Sequence, residues 1–154
     1  MSAARETDML ALFLAGAIQG AAPLLPPPWQ QLTPASETEY ARYTRAEPDG
    51  TTSIVSASSK VCDCKPTDAV RQLSATLNQV SGVSVKSDVT TMCGQTAQHL
   101  IALGVAQPDI PTRRNVDVFF FRQGKSMYAF TYTFTAAAPL PDAENALTSF
   151  CQSS

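Results

Sequence analysis

Residues 115–135, NVDVFFFRQGKSMYAFTYTFT, alternate large and small side chains in a way that suits a β-hairpin and no helix. On the second arm Tyr128, Phe130, Tyr132 and Phe134 alternate with Ala129, Thr131, Thr133 and Thr135. Successive strand side chains point to opposite faces, so one face is aromatic and the other small. The first arm sets Val116, Val118 and Phe120 against Phe119 and Phe121, and Gln123-Gly124-Lys125 supplies the turn. Seven of the chain's twelve aromatic residues fall between Phe119 and Phe134, which predicts that the core is built on this ribbon. The pattern constrains fold strongly and names no reaction.

The rest of the composition bounds the class. The 154 residues suit one globular domain with an N-terminal appendage. Charged residues make up 16%, below the roughly 25% usual for soluble domains, and prolines with Ser and Thr take up the difference. Net charge is −2, and Arg113-Arg114 is the one adjacent basic pair. A nucleic-acid binder needs a basic patch or stripe, so nucleic acid is excluded as a partner.

Met9 to Ala22, MLALFLAGAIQGAA, is an apolar run too short for a membrane span of about 20 residues. Its length fits a signal-peptide core, with small residues at Ala15-Gly16-Ala17 or Gly20-Ala21-Ala22 for cleavage. Glu6 and Asp8 before it suit a buried helix better. The expected organisation is a signal peptide or apolar helix over 1–22, a Pro-rich linker over 23–28 and one α+β domain over 29–154. Export to a periplasmic or extracellular compartment follows from the first reading, with no stable membrane span in the mature protein.

Cys62, Cys64, Cys93 and Cys151 form an even set, which in a small exported domain points to disulfides. A Cys62–Cys64 bond would close a very small ring, with Cα atoms near the upper limit of about 6.8 Å if the segment is extended. The expected pairing therefore joins one of these two to Cys93 and the other to Cys151. The competing reading is a zinc or copper(I) site on Cys62, Cys64, Cys93 and His99. Zinc sites usually carry two closely spaced ligand pairs, and this chain has one.

Along the chain, Glu39 to Arg45 and Thr51 to Ser59 flank the turn signal Pro48-Asp49-Gly50 and form a first hairpin. Lys65-Pro66-Thr67-Asp68 opens a helix whose Val70, Leu73, Leu77 and Val80 recur at helical spacing. Ser81-Gly82 ends it, and Val83 to Met92 alternates as a strand. Gly94 to Val105 fits a helix or a buried strand. Pro108 to Arg114 reads as a loop, and Leu140 to Cys151 as a helix with Ala143, Ala146, Leu147 and Phe150 on one face.

From Trp29 to Cys151 this order resembles the PsbP-like group of α/β/α sandwiches. The features that carry it are the early hairpin, the helix over Thr67–Val80, Cys93-Gly94-x-x-Ala97, the closing strand pair and the terminal Leu147-Thr148-Ser149-Phe150-Cys151. The resemblance implies that Gln98 to Leu103 is a strand and that helices cover both faces of an antiparallel sheet. It also implies an accessory or binding role without catalysis, and brings no catalytic residue or cofactor with it.

Candidate chemistry is sparse. His99 is the one histidine, and Cys93 six residues earlier leaves a Cys/His dyad as a possibility to test. Asp63, Asp68, Asp142 and Glu144 sit at helix starts, where the dipole explains them. Asp117 is of interest if it faces inward among Phe119 and Phe121, since buried acids need partners. Tyr128, Phe130 and Tyr132 could line a ligand pocket with Asp117 or form core beneath the last helix. The leading expectation is a non-catalytic domain that binds another protein. The alternatives are a small-molecule binder beside the aromatic hairpin and a metal-binding protein.

Overall fold

The structure is a computed structural model that describes residues 24–107, 110–135 and 141–152. The apolar run over 1–22, on which the signal-peptide expectation rests, lies outside the described residues. Nine elements follow in order: β1 (Gln30–Gln31), β2 (Glu39–Ala46), β3 (Thr52–Val61), α1 (Pro66–Asn78), β4 (Ser84–Met92), β5 (Gln95–Gln107), β6 (Ile110–Gln123), β7 (Ser126–Phe134) and α2 (Pro141–Thr148). The strands form one antiparallel sheet in the order β1-β2-β3-β7-β6-β5-β4. The α+β class expected from the sequence is what the chain adopts.

Two tight turns set most of the register. Gly124 at φ 63° closes β6 onto β7 with Gln123 opposite Ser126, which places Phe119 opposite Phe130 and Asp117 opposite Tyr132. Cys93 and Gly94 at φ 54° and 75° join β4 to β5, and Asp88 comes opposite His99. Positive φ at both Cys93 and Gly94 gives the type I′ twist, and positive φ at Gly124 alone the type II′ twist, that two-residue hairpins favour.

The pleat then sorts the core into two clusters. On one face Tyr43, Val55, Phe121, Phe130, Tyr132 and Phe134 are buried against Ala143, Ala146, Leu147 and Phe150 of α2 or its C-terminal turn. On the alternate positions Leu100 and Ala102 of β5 meet Val70 of α1, with Leu73, Leu77, Val85 and Phe120 around them. Helix α1 starts with Pro66 in its first turn and Asp68 at the positive dipole end, as the sequence suggests.

Each helix covers half a face. Helix α2 touches β3 and β7, and α1 touches β4, β5 and β6.

Several boundaries differ from the sequence reading. Residues 95–107 form a strand, which resolves the ambiguity over Gly94 to Val105. The segment expected as a loop, Pro108 to Arg114, is strand from Ile110 onward, because β5 pairs with it through Gln107 opposite Ile110. Helix α2 stops at Thr148, and Cys151 lies past its end. Within the stretch expected as a spacer, Leu25 is buried in the main core and the Leu24 N–H donates to the Tyr43 hydroxyl at 2.8 Å. Its apolar side chain joins the core rather than holding the domain at a distance.

Candidate functional site

Strands β4, β5 and β6 bring together a group that no sequence motif announces. His99 Nε2 lies 2.8 Å from Asp117 Oδ1 and His99 Nδ1 lies 3.1 Å from Asp88 Oδ1. A neutral imidazole has one donor, whereas two carboxylates each accept, so this geometry suits the imidazolium. The hydrogen bond and charge of Asp117 raise the His99 pKa above its ordinary value, with Asp88 adding to the effect and burial opposing it. The ring stacks on Phe119 at 4.4 Å and 8° between planes. Asp117 is 3% exposed, so its carboxylate is compensated mainly by this partner.

That arrangement leaves no thiol beside the imidazole for it to activate. Both ring nitrogens face carboxylates, and the sulfur of Cys93 is bonded to Cys151. The Cys93/His99 dyad considered from the sequence is therefore not formed.

The other predicted residues have separate fates. Phe130 and Tyr132 are buried in the core under α2, and Tyr128 packs partly buried beside them, stacked on Phe121 at 5.1 Å. Asp117 shares their face but faces His99. The expected pocket over the aromatic face is filled by side chains of α2 and its turn. Next to it, Arg45 is buried over the Trp29 ring at 4.4 Å and bonds Glu47 Oε2 at 2.9 Å and Asp142 Oδ2. Burial is the main reason that the Tyr132 hydroxyl, in the same region, has a raised pKa.

All four cysteines are in disulfides, but not in the expected pattern. Cys62 bonds Cys64 and Cys93 bonds Cys151. The chain bends at Cys62, bringing the first pair's Cα atoms to 5.3 Å, well inside the extended separation that disfavoured this ring. Cys93 and Cys151 meet at 5.4 Å because the β4–β5 turn lies beside the end of α2. The oxidised sulfurs also overturn the metal alternative on Cys62, Cys64, Cys93 and His99, since zinc and copper(I) bind thiolates. Among the described residues no group of three or more His, Cys, Asp or Glu side chains could hold a metal ion.

An open concavity lies on the face carrying α1, where that helix leaves β3 and β7 uncovered. It is a groove of about 590 Å³ whose floor is Phe120, Met127 and Leu73. Lys60, Lys65, Asp63 and Asp68 rim it. A second hollow of about 250 Å³ shares Lys60, Phe120 and Met127 and extends along Ser58 and Ala129. One wall is fixed by the Cys62–Cys64 ring, whose carbonyls both accept from Arg122 Nη1 at 2.7 and 2.8 Å. Sequence reading missed Lys60, Phe120 and Met127 as a set. The pairing of Lys60 with Met127 across β3 and β7 is what assembles them, and it joins segments far apart in sequence.

No protein-family model matches this chain, and no curated protein matches it. Among solved structures, it is similar to a crystal structure of a protein of unknown function from Pseudomonas aeruginosa. The two are 21% identical over 79% of this chain and 81% of that one, with a TM-score of 0.43. No described helix is long and apolar enough to cross a membrane.

Proposed function

We propose that this domain is an exported, non-catalytic accessory module that binds a segment of another protein in the groove beside α1. The observation that carries this reading is the open groove with an apolar floor, Phe120, Met127 and Leu73, between rims of both charge signs. An extended or helical peptide would bury one or two apolar side chains there and meet Lys60 or Asp68 with its polar groups. The disulfide ring and Arg122 hold one wall in place before binding, which lowers the ordering cost of association. Two disulfides accord with export, since they persist in oxidising compartments. The placement of α1 and α2 against alternate positions of the sheet accords with an α/β/α sandwich of the PsbP-like kind.

A second reading places a small molecule in the same groove, beside the aromatic hairpin. The volume of about 590 Å³ favours it, since small-molecule sites run from roughly 300 to 1,000 Å³.

Panning a displayed peptide library on the immobilised protein separates the two. The protein-binding reading expects enriched peptides with apolar anchors whose binding is lost in Met127→Glu, while the far-ultraviolet spectrum is unchanged. No enrichment, or enrichment indifferent to Met127→Glu, overturns it. Displacement of a small apolar dye from the wild-type groove, without peptide enrichment, would favour the second reading.

A further inference from the structure

The sheet ends differently at its two edges. At one side β1 is two residues long, which leaves little backbone for another chain to pair with. At the other, β4 runs for nine residues and, among the described residues, is bonded on one side alone, to β5. Unpaired edges of that length invite a further strand, and proteins commonly blunt them with charge. Lys86 and Asp88 do stand on this edge, both exposed, and they stand on the same face, one residue either side of Ser87. Outside them are Val85, half-buried against the α1 cluster, and Val89, which is 64% exposed.

The run Val85-Lys86-Ser87-Asp88-Val89 is thus complementary to its own reverse. We propose that β4 is a dimerisation edge, pairing antiparallel with β4 of a second copy about a twofold axis at Ser87. Directly opposite residues in an antiparallel pair share a face and interact. This register sets Lys86 against Asp88 of the second copy, and Val85 against Val89, each twice by symmetry. The same patch serves both subunits, as an isologous interface requires. Neighbouring symmetric registers do not do this. An axis at Lys86 opposes the two lysines, and an axis at Asp88 opposes the two aspartates. Charge therefore selects one register, and the exposed Val89 gains an apolar neighbour continuous with the α1 cluster. Asp88 keeps its bond from His99 on β5 of its own subunit, so the incoming Lys86 completes a chain of alternating charge.

Sedimentation of the full disulfide-bonded chain tests this with charge reversals. Wild type is expected to form a dimer that dissociates on dilution. Lys86→Asp and Asp88→Lys are each expected to sediment as monomers, and an equimolar mixture of the two to recover the dimer. A monomeric wild type at every concentration, or a dimer unaffected by either reversal, overturns the proposal. Cross-linking gives a measurement that does not depend on those variants. Because the native cysteines are all paired, Ser87→Cys carries a single free thiol. Its Cα would face the second copy's at about 5 Å, within disulfide range, whereas Ser84→Cys would stand about 20 Å from its equivalent. Oxidised dimer from Ser87→Cys and none from Ser84→Cys supports the register. Equal cross-linking of both, or of neither, overturns it.

Discussion

Asp117 and His99 are diagonal neighbours across β6 and β5, and their side chains close to 2.8 Å with Asp117 buried and His99 on the accessible side. The buried acid is matched by a histidine rather than by a fixed cation, so the match depends on pH.

Titrating His99 checks this directly. Its pKa is raised in the folded state, so its contribution to stability is present in full below the ordinary value of 6.5. That contribution is lost as pH rises through the folded value. Wild type is expected to lose thermal stability over that window, and His99→Gln to show a flat profile there. A His99 ring signal that titrates at or below 6.5 in NMR would contradict the assignment.

Replacing Asp117 separates its effect from that of Asp88. Asp117→Asn removes the larger cause of the raised pKa, so the ring should titrate lower. The same change is expected to destabilise the fold by about 1–3 kcal/mol at pH 6, by the loss of a charged hydrogen bond. Asp88, exposed on the edge strand, should matter less in denaturant titrations.

The two disulfides should contribute unequally. Cys93 and Cys151 are 58 residues apart, and opening that loop costs about 4 kcal/mol in the chain-entropy model. Cys62 and Cys64 are two residues apart, for which the same model gives about 1.5 kcal/mol. Urea unfolding of Cys93→Ser/Cys151→Ser and of Cys62→Ser/Cys64→Ser measures the difference. Peptide mapping without reduction should recover Cys62 and Cys64 in one fragment and Cys93 joined to Cys151.

Arg45 fastens β2 to α2. It is 6% exposed, covers Trp29 and bonds Glu47 and Asp142. Arg45→Ala is expected to cost about 3 kcal/mol by leaving Glu47 without its partner in a partly buried site. Lysine should restore little of it, since a point charge cannot both stack on the ring and reach two carboxylates. Equilibrium unfolding of the two variants reads this out.

Gly104 marks an irregularity in β5, with φ +78° and a Cβ position 3.1 Å from the Gly82 carbonyl oxygen. Gly104→Ala should lower stability by about 1–2 kcal/mol, through left-handed strain and that close approach. A melting temperature unchanged from wild type would refute it.

Much of this architecture is legible in local pattern. The aromatic hairpin, the helix opened by Pro66 and the strand before Cys93 each repeat with a period that a single segment reveals. Even the opposition of Asp88 and His99 follows from counting outward from the Cys93-Gly94 turn, once residues 95–107 are known to be strand. The bend at Cys62 gives no such signal, and the cysteine pairing expected from ring size failed there.

What the sequence determines by itself is therefore the aromatic hairpin, the two helices and the strand before Cys93, because periodicity and turn chemistry act over a few residues. Tertiary structure decides the rest. It pairs Cys93 with Cys151, sets Asp117 against His99, and opens the groove of Lys60, Phe120 and Met127 where α1 stops short. Those outcomes depend on the order in which strands neighbour one another and on how much of each face a helix covers. Both are set by packing between segments distant in the chain, and no local pattern encodes them.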